Sequence, residues 1–327
     1  METSFGPIGG YFEWEFPAAQ NASLHKDSVC LNSGRHALEY ILRGLGRVQT
    51  LWIPYFTCEV VLQPLKRLNI PYKFYRINNN LELAEEIALG QDDFLLYTNY
   101  YGVKDAYANC LAEKYGDKII IDNAQALFYE ASPMVHQFYS LRKFIGVPDG
   151  GLVISDLPNV AKTLPICDSN ERCSHLLKRV EKAPSEGYGD FKANEAKITE
   201  SPLLQMSPIT KAIFSTVDFD TIKRKRRENF DFIHKALSST NHLKLPSIDS
   251  FECPLVYPYY VEDGNELKKK LIKQSVFVAT YWPNVLELCS PNDLEYNLAD
   301  NIVCIPVDQR YGVREMKRII QEVLLWR

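Results

Sequence analysis

No stretch of eighteen apolar residues occurs in the 327-residue chain, so nothing in it reads as a membrane-spanning helix. The opening METSFGPIGG lacks the basic and apolar regions of a signal peptide, and a soluble, cytoplasmic protein is the expectation. An excess of positive charge is missing too. Lys and Arg total 37 against 41 Asp and Glu, a net charge of -4, which leaves no domain-wide field for a nucleic acid. The eight cysteines (Cys30, Cys58, Cys110, Cys167, Cys173, Cys253, Cys289 and Cys304) contain no C-x-x-C pair, which argues against a zinc ribbon or a disulfide framework and for reduced thiols. The six histidines are dispersed, and no metal site is expected. Signatures absent from the chain include G-x-G-x-x-G after a strand, G-x-x-x-x-G-K-[ST], G-x-S-x-G and H-E-x-x-H, which removes the dinucleotide, P-loop, hydrolase-elbow and zinc-protease readings. No repeat of fixed period is present. The sequon Asn21-Ala22-Ser23 reads as a chance match in a chain with no secretion signal.

What remains is ordinary globular composition, 46% hydrophobic and 24% charged, in a length that suits two domains of about 150 residues each. Apolar, β-branched or aromatic runs at 28–31, 50–53, 71–77, 93–98, 118–122, 136–140 and 151–155 alternate with segments of helical period at 35–44, 81–89 and 104–115. That alternation predicts an α/β unit, a mostly parallel sheet flanked by helices. The stretch 165–217, with Pro184, Gly187, Gly189, Pro202 and Pro208, reads as a long connection with a mobile part. A boundary near 215 then divides a large α/β domain with an N-terminal arm, 1–215, from a smaller α+β domain, 216–327. The smaller unit is expected to hold helices at 219–238, 264–274 and 313–326 and strands at 254–260, 276–280 and 301–305. The basic run Lys223 to Arg227 at the start of its first helix reads as a solvated face.

Three segments at strand ends attract attention, because ligands of open parallel sheets gather at the carboxyl ends of strands. Asn32-Ser33-Gly34-Arg35-His36-Ala37-Leu38 leads a strand through glycine into a helix whose free N–H groups suit a phosphate, and equally suits a serine N-cap. Ile119-Ile120-Ile121-Asp122-Asn123-Ala124-Gln125-Ala126 is a strand buried on both faces that delivers a carboxylate, which either meets a protonated heteroaromatic nitrogen or caps the next helix. The third runs from Tyr139 through Ser140, Arg142 and Lys143 to the turn Pro148-Asp149-Gly150-Gly151. A lone lysine is ordinarily a surface charge, but this one follows a strand and precedes a turn that re-enters the sheet.

That pattern resembles the Schiff-base lysine segment of fold type I pyridoxal phosphate enzymes, in particular the DegT/DnrJ/StrS-type sugar aminotransferase family. The resemblance extends in order through Ile8 to Glu13, Ser33 to Leu38, Ile53 to Cys58, Asn99 to Gly102, Asp122 to Ala126, Ser140 to Gly151 and Ile305 to Tyr311. It implies a fold type I PLP-dependent transferase with pyridoxal 5'-phosphate as cofactor. Lys143 would be the Schiff-base lysine, Asp122 the partner of the pyridinium nitrogen and Gln125 a hydrogen-bond partner of the ring hydroxyl. Gly34, Arg35, His36 and Ser140 would surround the phosphate, and Cys58 would cover the ring where many members carry an aromatic residue or histidine. The family's usual phosphate-contacting serine falls at Phe138, so Ser140 is its expected replacement. The implied reaction moves an amino group from an amino acid, glutamate by resemblance, to a keto sugar, by resemblance nucleotide-linked, in surface-polysaccharide or secondary-metabolite synthesis. The implied assembly is a homodimer with shared active sites. The 165–217 stretch and the N-terminal Gly-Gly-Tyr-Phe segment are candidates for substrate or partner contacts, and Gln309-Arg310-Tyr311 either approaches the substrate or forms a capping turn. A related sugar dehydratase carries histidine in place of the lysine, and Lys143 argues against it. A protein of this fold that binds the cofactor without turnover is the remaining alternative.

Overall fold

The computed structural model describes residues 14–17, 24–132 and 134–326. The segments Ile8 to Glu13 and Asn21 to Ser23 lie outside the described residues. Seven strands form one sheet: β1 (Val29–Leu31), β2 (Thr50–Pro54), β3 (Tyr72–Tyr75), β4 (Asp93–Thr98), β5 (Ile119–Asp122), β6 (His136–Ser140) and β7 (Gly151–Ile154). Their spatial order is β1-β7-β6-β5-β4-β2-β3. The run from β3 to β6 is parallel, while β7 is antiparallel to both β6 and β1.

The strand period explains how the sheet is buried on both sides. Leu95, Tyr97, Ile119, Ile121, Tyr139 and Leu152 belong to one apolar cluster, and their neighbours Leu96, Ile120, Phe138 and Val153 to another. The second cluster is closed by α1 (Gly34–Gly44) and α2 (Leu62–Leu68), which contribute Ala37, Leu38, Ile41, Leu42 and Leu65. Ser33 starts α1 in extended backbone, its hydroxyl accepting the His36 N–H. The first cluster is closed by α3 (Asp105–Tyr115) and continues into the C-terminal third of the chain. There α7 (Phe219–Leu237), α8 (Gly264–Lys273), α9 (Val285–Leu288), α10 (Leu294–Asn301) and α11 (Val313–Leu324) accompany a hairpin-like pair of strands, β8 (Val256–Tyr260) and β9 (Ile302–Pro306). No helix among the described residues is long and apolar enough to cross a membrane.

Four expectations need correction. Residues 81–89 form no helix, because the Asn78 side chain accepts the N–H groups of Asn80 (2.8 Å) and Glu82 (3.2 Å) and turns the chain back on itself, with Leu81 at φ +61°. The stretch 165–217 is largely helical: α4 (Ser174–Glu181), α5 (Pro184–Glu200) and α6 (Pro208–Thr216). Pro184 and Pro208 read as breakers, yet they sit in the first turn of α5 and α6, where a missing N–H costs nothing. Residues 276–280 make only an isolated bridge, Ala279 to Cys304. The run Lys223 to Arg227 is not wholly solvated, since Arg226 is buried and donates to the carbonyls of Pro254 and Leu255.

The turn after β4 joins the sheet to the C-terminal region. Asp105, buried at the start of α3, accepts the Asn99 amide at 2.7 Å and the Glu252 N–H at 2.6 Å, and burial pushes its carboxyl up to about 6. Gly102, at φ +68°, is pressed between two backbones, so that a Cβ there would lie 2.5 Å from the Cys253 oxygen and 2.6 Å from the Gln125 oxygen. Gly102→Ala is therefore expected to destabilise the fold by about 1–3 kcal/mol, read as a lower denaturant midpoint. An unchanged midpoint would refute the close approach.

Candidate active site

Parallel strands deliver their ends to one edge, and this edge collects the residues singled out above. Asp122 ends β5 and is only 6% exposed. One of its oxygens accepts the Ala124 N–H at 2.9 Å. Burial drives its carboxyl up from the usual range, against the opposing pull of Lys143 and of that N–H. Lys143 ends the single 3-10 turn that follows β6, and its ammonium lies 5.8 Å from the centre of the Tyr281 ring. Its charge is felt at both Asp122 and Cys58, whose thiol is pushed up by burial and pulled back chiefly by Lys143. Gln125, 1% exposed, accepts the Tyr101 N–H at 2.7 Å through its carbonyl oxygen. Its Nε2 is buried with no hydrogen-bond partner among the described residues.

Next to this group lies the start of α1. A Cβ on Gly34 would sit 3.4 Å from Ser140 Cβ, so the helix start and the end of β6 touch. Ser140 shares a strand face with Phe138, whose ring is committed to the core, and its own hydroxyl does not cap the following turn. Gly34 and Arg35 hold first-turn N–H groups that have no intrahelical acceptor. The Arg35 guanidinium donates to Gln63 at 2.8 Å and to Thr199 at 2.6 Å, and lies 3.8 Å from the Glu195 carboxylate. Arg142 forms an ion pair with the same carboxylate, and burial lowers its pKa to about 10. The His36 ring is spent inside the fold. Its Nε2 faces the Ser201 carbonyl at 3.0 Å and must donate, so Nδ1 accepts from the Ser33 hydroxyl at 2.8 Å. His36 thus braces the first turn of α1 rather than offering its ring to a ligand.

Of the elements that close the site, sequence reasoning marked the 309–311 turn and missed the segment after residue 280 and Glu195. The segment after residue 280 brings Tyr281 over Lys143 and wedges Trp282, at φ +58°, edge-on against Phe56 at 4.6 Å. Asn284 ties this segment to the Thr57 carbonyl at 3.0 Å. Gln309 donates to the Phe144 carbonyl at 2.7 Å and accepts from Arg226 at 2.9 Å, reaching the residue beside Lys143, while Arg310 pairs with Asp308 at 2.7 Å. The Gly312 N–H that follows is held by Glu315 at 3.0 Å, so this segment both touches the lysine turn and caps α11. The Tyr281-Trp282-Pro283 cluster was a visible signal. Glu195 left none, since nothing in the pattern of α5 marks the side that faces Arg35.

Against the cofactor implied by the resemblance, these residues fit. A carboxylate raised by burial calls for a cationic partner, the unmatched Gln125 amide for an acceptor, and the first-turn N–H groups with two guanidiniums for an anion.

No protein-family model matches the sequence. No curated protein matches it either. Solved structures do match in fold. DesV from S. venezuelae, determined in complex with a ketimine intermediate, aligns at 17% identity over 91% of this chain and 84% of its own, with a TM-score of 0.65. NtdA from Bacillus subtilis, with bound cofactor PMP, aligns at 14% identity over 91% of this chain and 72% of its own, with a TM-score of 0.65. DesI, determined in the presence of its TDP-sugar product, aligns at 13% identity over 91% of this chain and 80% of its own, with a TM-score of 0.63. The fold is the one these proteins share, a fold type I arrangement of a seven-stranded, mostly parallel sheet flanked by helices.

The His36 environment makes a pH-dependent prediction. Burial lowers its pKa from 6.5 to about 4, so in that window the unfolded chain binds a proton that the folded chain refuses. Its contribution is complete above 6.5 and falls as pH drops toward 4, by about 1.4 kcal/mol per unit and about 3 kcal/mol in all. His36→Gln should flatten the stability profile across that window in urea denaturation. Parallel profiles for parent and variant would contradict the assignment.

Proposed function

We propose that this chain is a pyridoxal phosphate-dependent aminotransferase acting from an amino-acid donor, glutamate, on a keto sugar linked to a nucleotide, in amino-sugar synthesis for surface polysaccharides or secondary metabolites. The observation that carries the reading is the convergence of a buried carboxylate, an ammonium and an unmatched buried amide donor at one sheet edge: Asp122, Lys143 and Gln125. The fold shared with DesV, NtdA and DesI supports it, and the TDP-sugar product named for DesI supports the nucleotide linkage.

When bound, the cofactor supplies an electron sink for negative charge at the substrate carbon that carries the nitrogen. The chain's own residues do the rest. Asp122 holds a protonated ring nitrogen by charge, and the Gln125 amide donates to the ring hydroxyl. Lys143 would hold the cofactor through its amine and would serve as base and then acid, moving a proton to and from the substrate carbon. Cys58 and Tyr281 flank the amine and exclude water. The N–H groups of Gly34 and Arg35, with the Ser140 hydroxyl, receive the phosphate, while His36 fixes the helix turn that presents them.

The reading includes a homodimer. Leu177, Val180, Tyr188 and Phe191, all exposed on α4 and α5, give an apolar face on the hairpin that carries Glu195, and a second copy would cover it. Sedimentation should then give twice the chain mass, and a monomer at micromolar concentration would remove this part.

The decisive test is spectroscopic. The purified protein should be yellow with pyridoxal phosphate and lose that absorbance on addition of glutamate, whereas a protein that only binds the cofactor would keep its colour. Lys143→Ala should lose transamination by about a thousandfold or more. Asp122→Asn should cost about a hundredfold in rate. Full activity in Lys143→Ala would overturn the assignment.

A further inference from the structure

Arg35 and Arg142 come from different strand ends, yet their side chains, 8% and 14% exposed, converge on one carboxylate. The two buried cations share this one carboxylate directly, with Asp149 and Glu59 as more distant anions, at the place where α1 adds its own first-turn N–H groups. The carboxylate belongs to Glu195, from a separate helix with no other part in the site. One turn further along α5, Thr199 accepts the second Arg35 hydrogen bond at 2.6 Å, so one face of α5 engages the pair. The neighbouring Asn194, 2% exposed, donates to the Pro148 carbonyl at 2.8 Å and pins the helix down. The Glu195 Oε1 that faces Arg142 is buried, but the side chain as a whole is 34% exposed and borders water, with α5 left in place.

We propose that Glu195 is a resident counter-ion in an anion site built by Arg35 and Arg142, and that a phosphate monoester binds by displacing it. The inference rests on the proposed function for the identity of that ester, the cofactor's phosphate, but not for the existence of the site. Glu195 neutralises part of the pair's charge while the site is unliganded, beside the neutral Gln63 and Thr199 oxygens that accept from Arg35. A dianion then balances both, and Glu195 turns outward. Arg142 becomes a phosphate-binding residue, and Glu195 sets how tightly the phosphate is held by competing with it.

The test compares the parent with Glu195→Gln and Arg142→Gln at low salt, titrating inorganic phosphate, pyridoxal 5'-phosphate and pyridoxal by calorimetry and thermal shift. Glu195→Gln should bind inorganic phosphate and pyridoxal phosphate about tenfold more tightly than the parent, with pyridoxal unchanged, and Arg142→Gln should bind both phosphates about tenfold more weakly. Equal or weaker phosphate binding by Glu195→Gln overturns the proposal. Should that variant be too unstable to purify, Glu195→Asp keeps the charge but draws it back by one methylene; a smaller gain in the same direction supports the proposal, and none overturns it. Failure of the functional reading looks different: inorganic phosphate binding responds to Glu195 as stated, but pyridoxal phosphate gives no colour. If colour develops on Lys143 and the Glu195 variants bind phosphate no more tightly, only the present inference falls.

Discussion

A carboxylate with almost no access to water must find a cation or give up its charge, and at this sheet edge the nearest cation is an amine from the next strand. β5 and β6 are adjacent and parallel, with Asp122 opposite Phe138, so the chain that passes Ser140 returns across the edge with Lys143 in hand. The pairing is incomplete. Burial raises the Asp122 carboxyl more than Lys143 and the Ala124 N–H lower it, which means that the dry, isoleucine-filled strand creates an electrostatic demand that the chain's own groups do not fully meet. Such a demand costs stability and is tolerable where a ligand relieves it.

The geometry of that pair depends on elements distant in sequence. Lys143 sits on a single turn, too short to hold its own orientation, and Gln309 steadies the next residue through the Phe144 carbonyl while Arg226 lies 4.6 Å from the Phe144 ring. From the other side, Tyr281 and Trp282 close over the edge and are tied to the loop after β2 by Asn284. The C-terminal third is therefore part of the site, and the apolar cluster that runs from the sheet into β8 and β9 is what lets it bear on Lys143.

The strands were the legible part of the sequence, because strands buried on both faces, such as β5, are written as continuous apolar runs, while the edge strand β3, half exposed with Lys73 in it, was legible only through its aromatic residues. α1 was legible through its apolar spacing and Ser33 cap. The 81–89 segment was not, since an Asn78 side chain that captures two N–H groups overrides a weak helical period. α4 to α6 were hidden by prolines whose meaning depends on position: Pro184 and Pro208 start helices rather than end them. In the candidate site, residues next to strand ends could be found from motif order. Glu195, Thr199 and Tyr281 reach the edge only through tertiary packing, which local pattern does not encode, whereas Gln309 lies in a turn the sequence already marked as a substrate contact or a cap.

The exchange of hydroxyl chemistry for charge around α1 follows from the same geometry. With Phe138 filling the core, the hydroxyl available on that strand face is at Ser140, two residues and about 6.6 Å farther along the strand. That shift brings it against Gly34 at the very edge, where the groups beside it are Arg35 and Arg142. Under the proposed function the phosphate is held mainly by guanidinium charge, with fewer neutral donors than a serine deeper in the strand would have added. Guanidinium charge acts at longer range than a hydroxyl dipole, and its planar fork matches phosphate oxygens two at a time, which suits a site where the proposed counter-ion Glu195 gives way to the phosphate. The same choice makes retention of the phosphate depend on ionic strength wherever the pair is open to solvent, and a carboxylate within reach of both arginines offsets part of their buried charge.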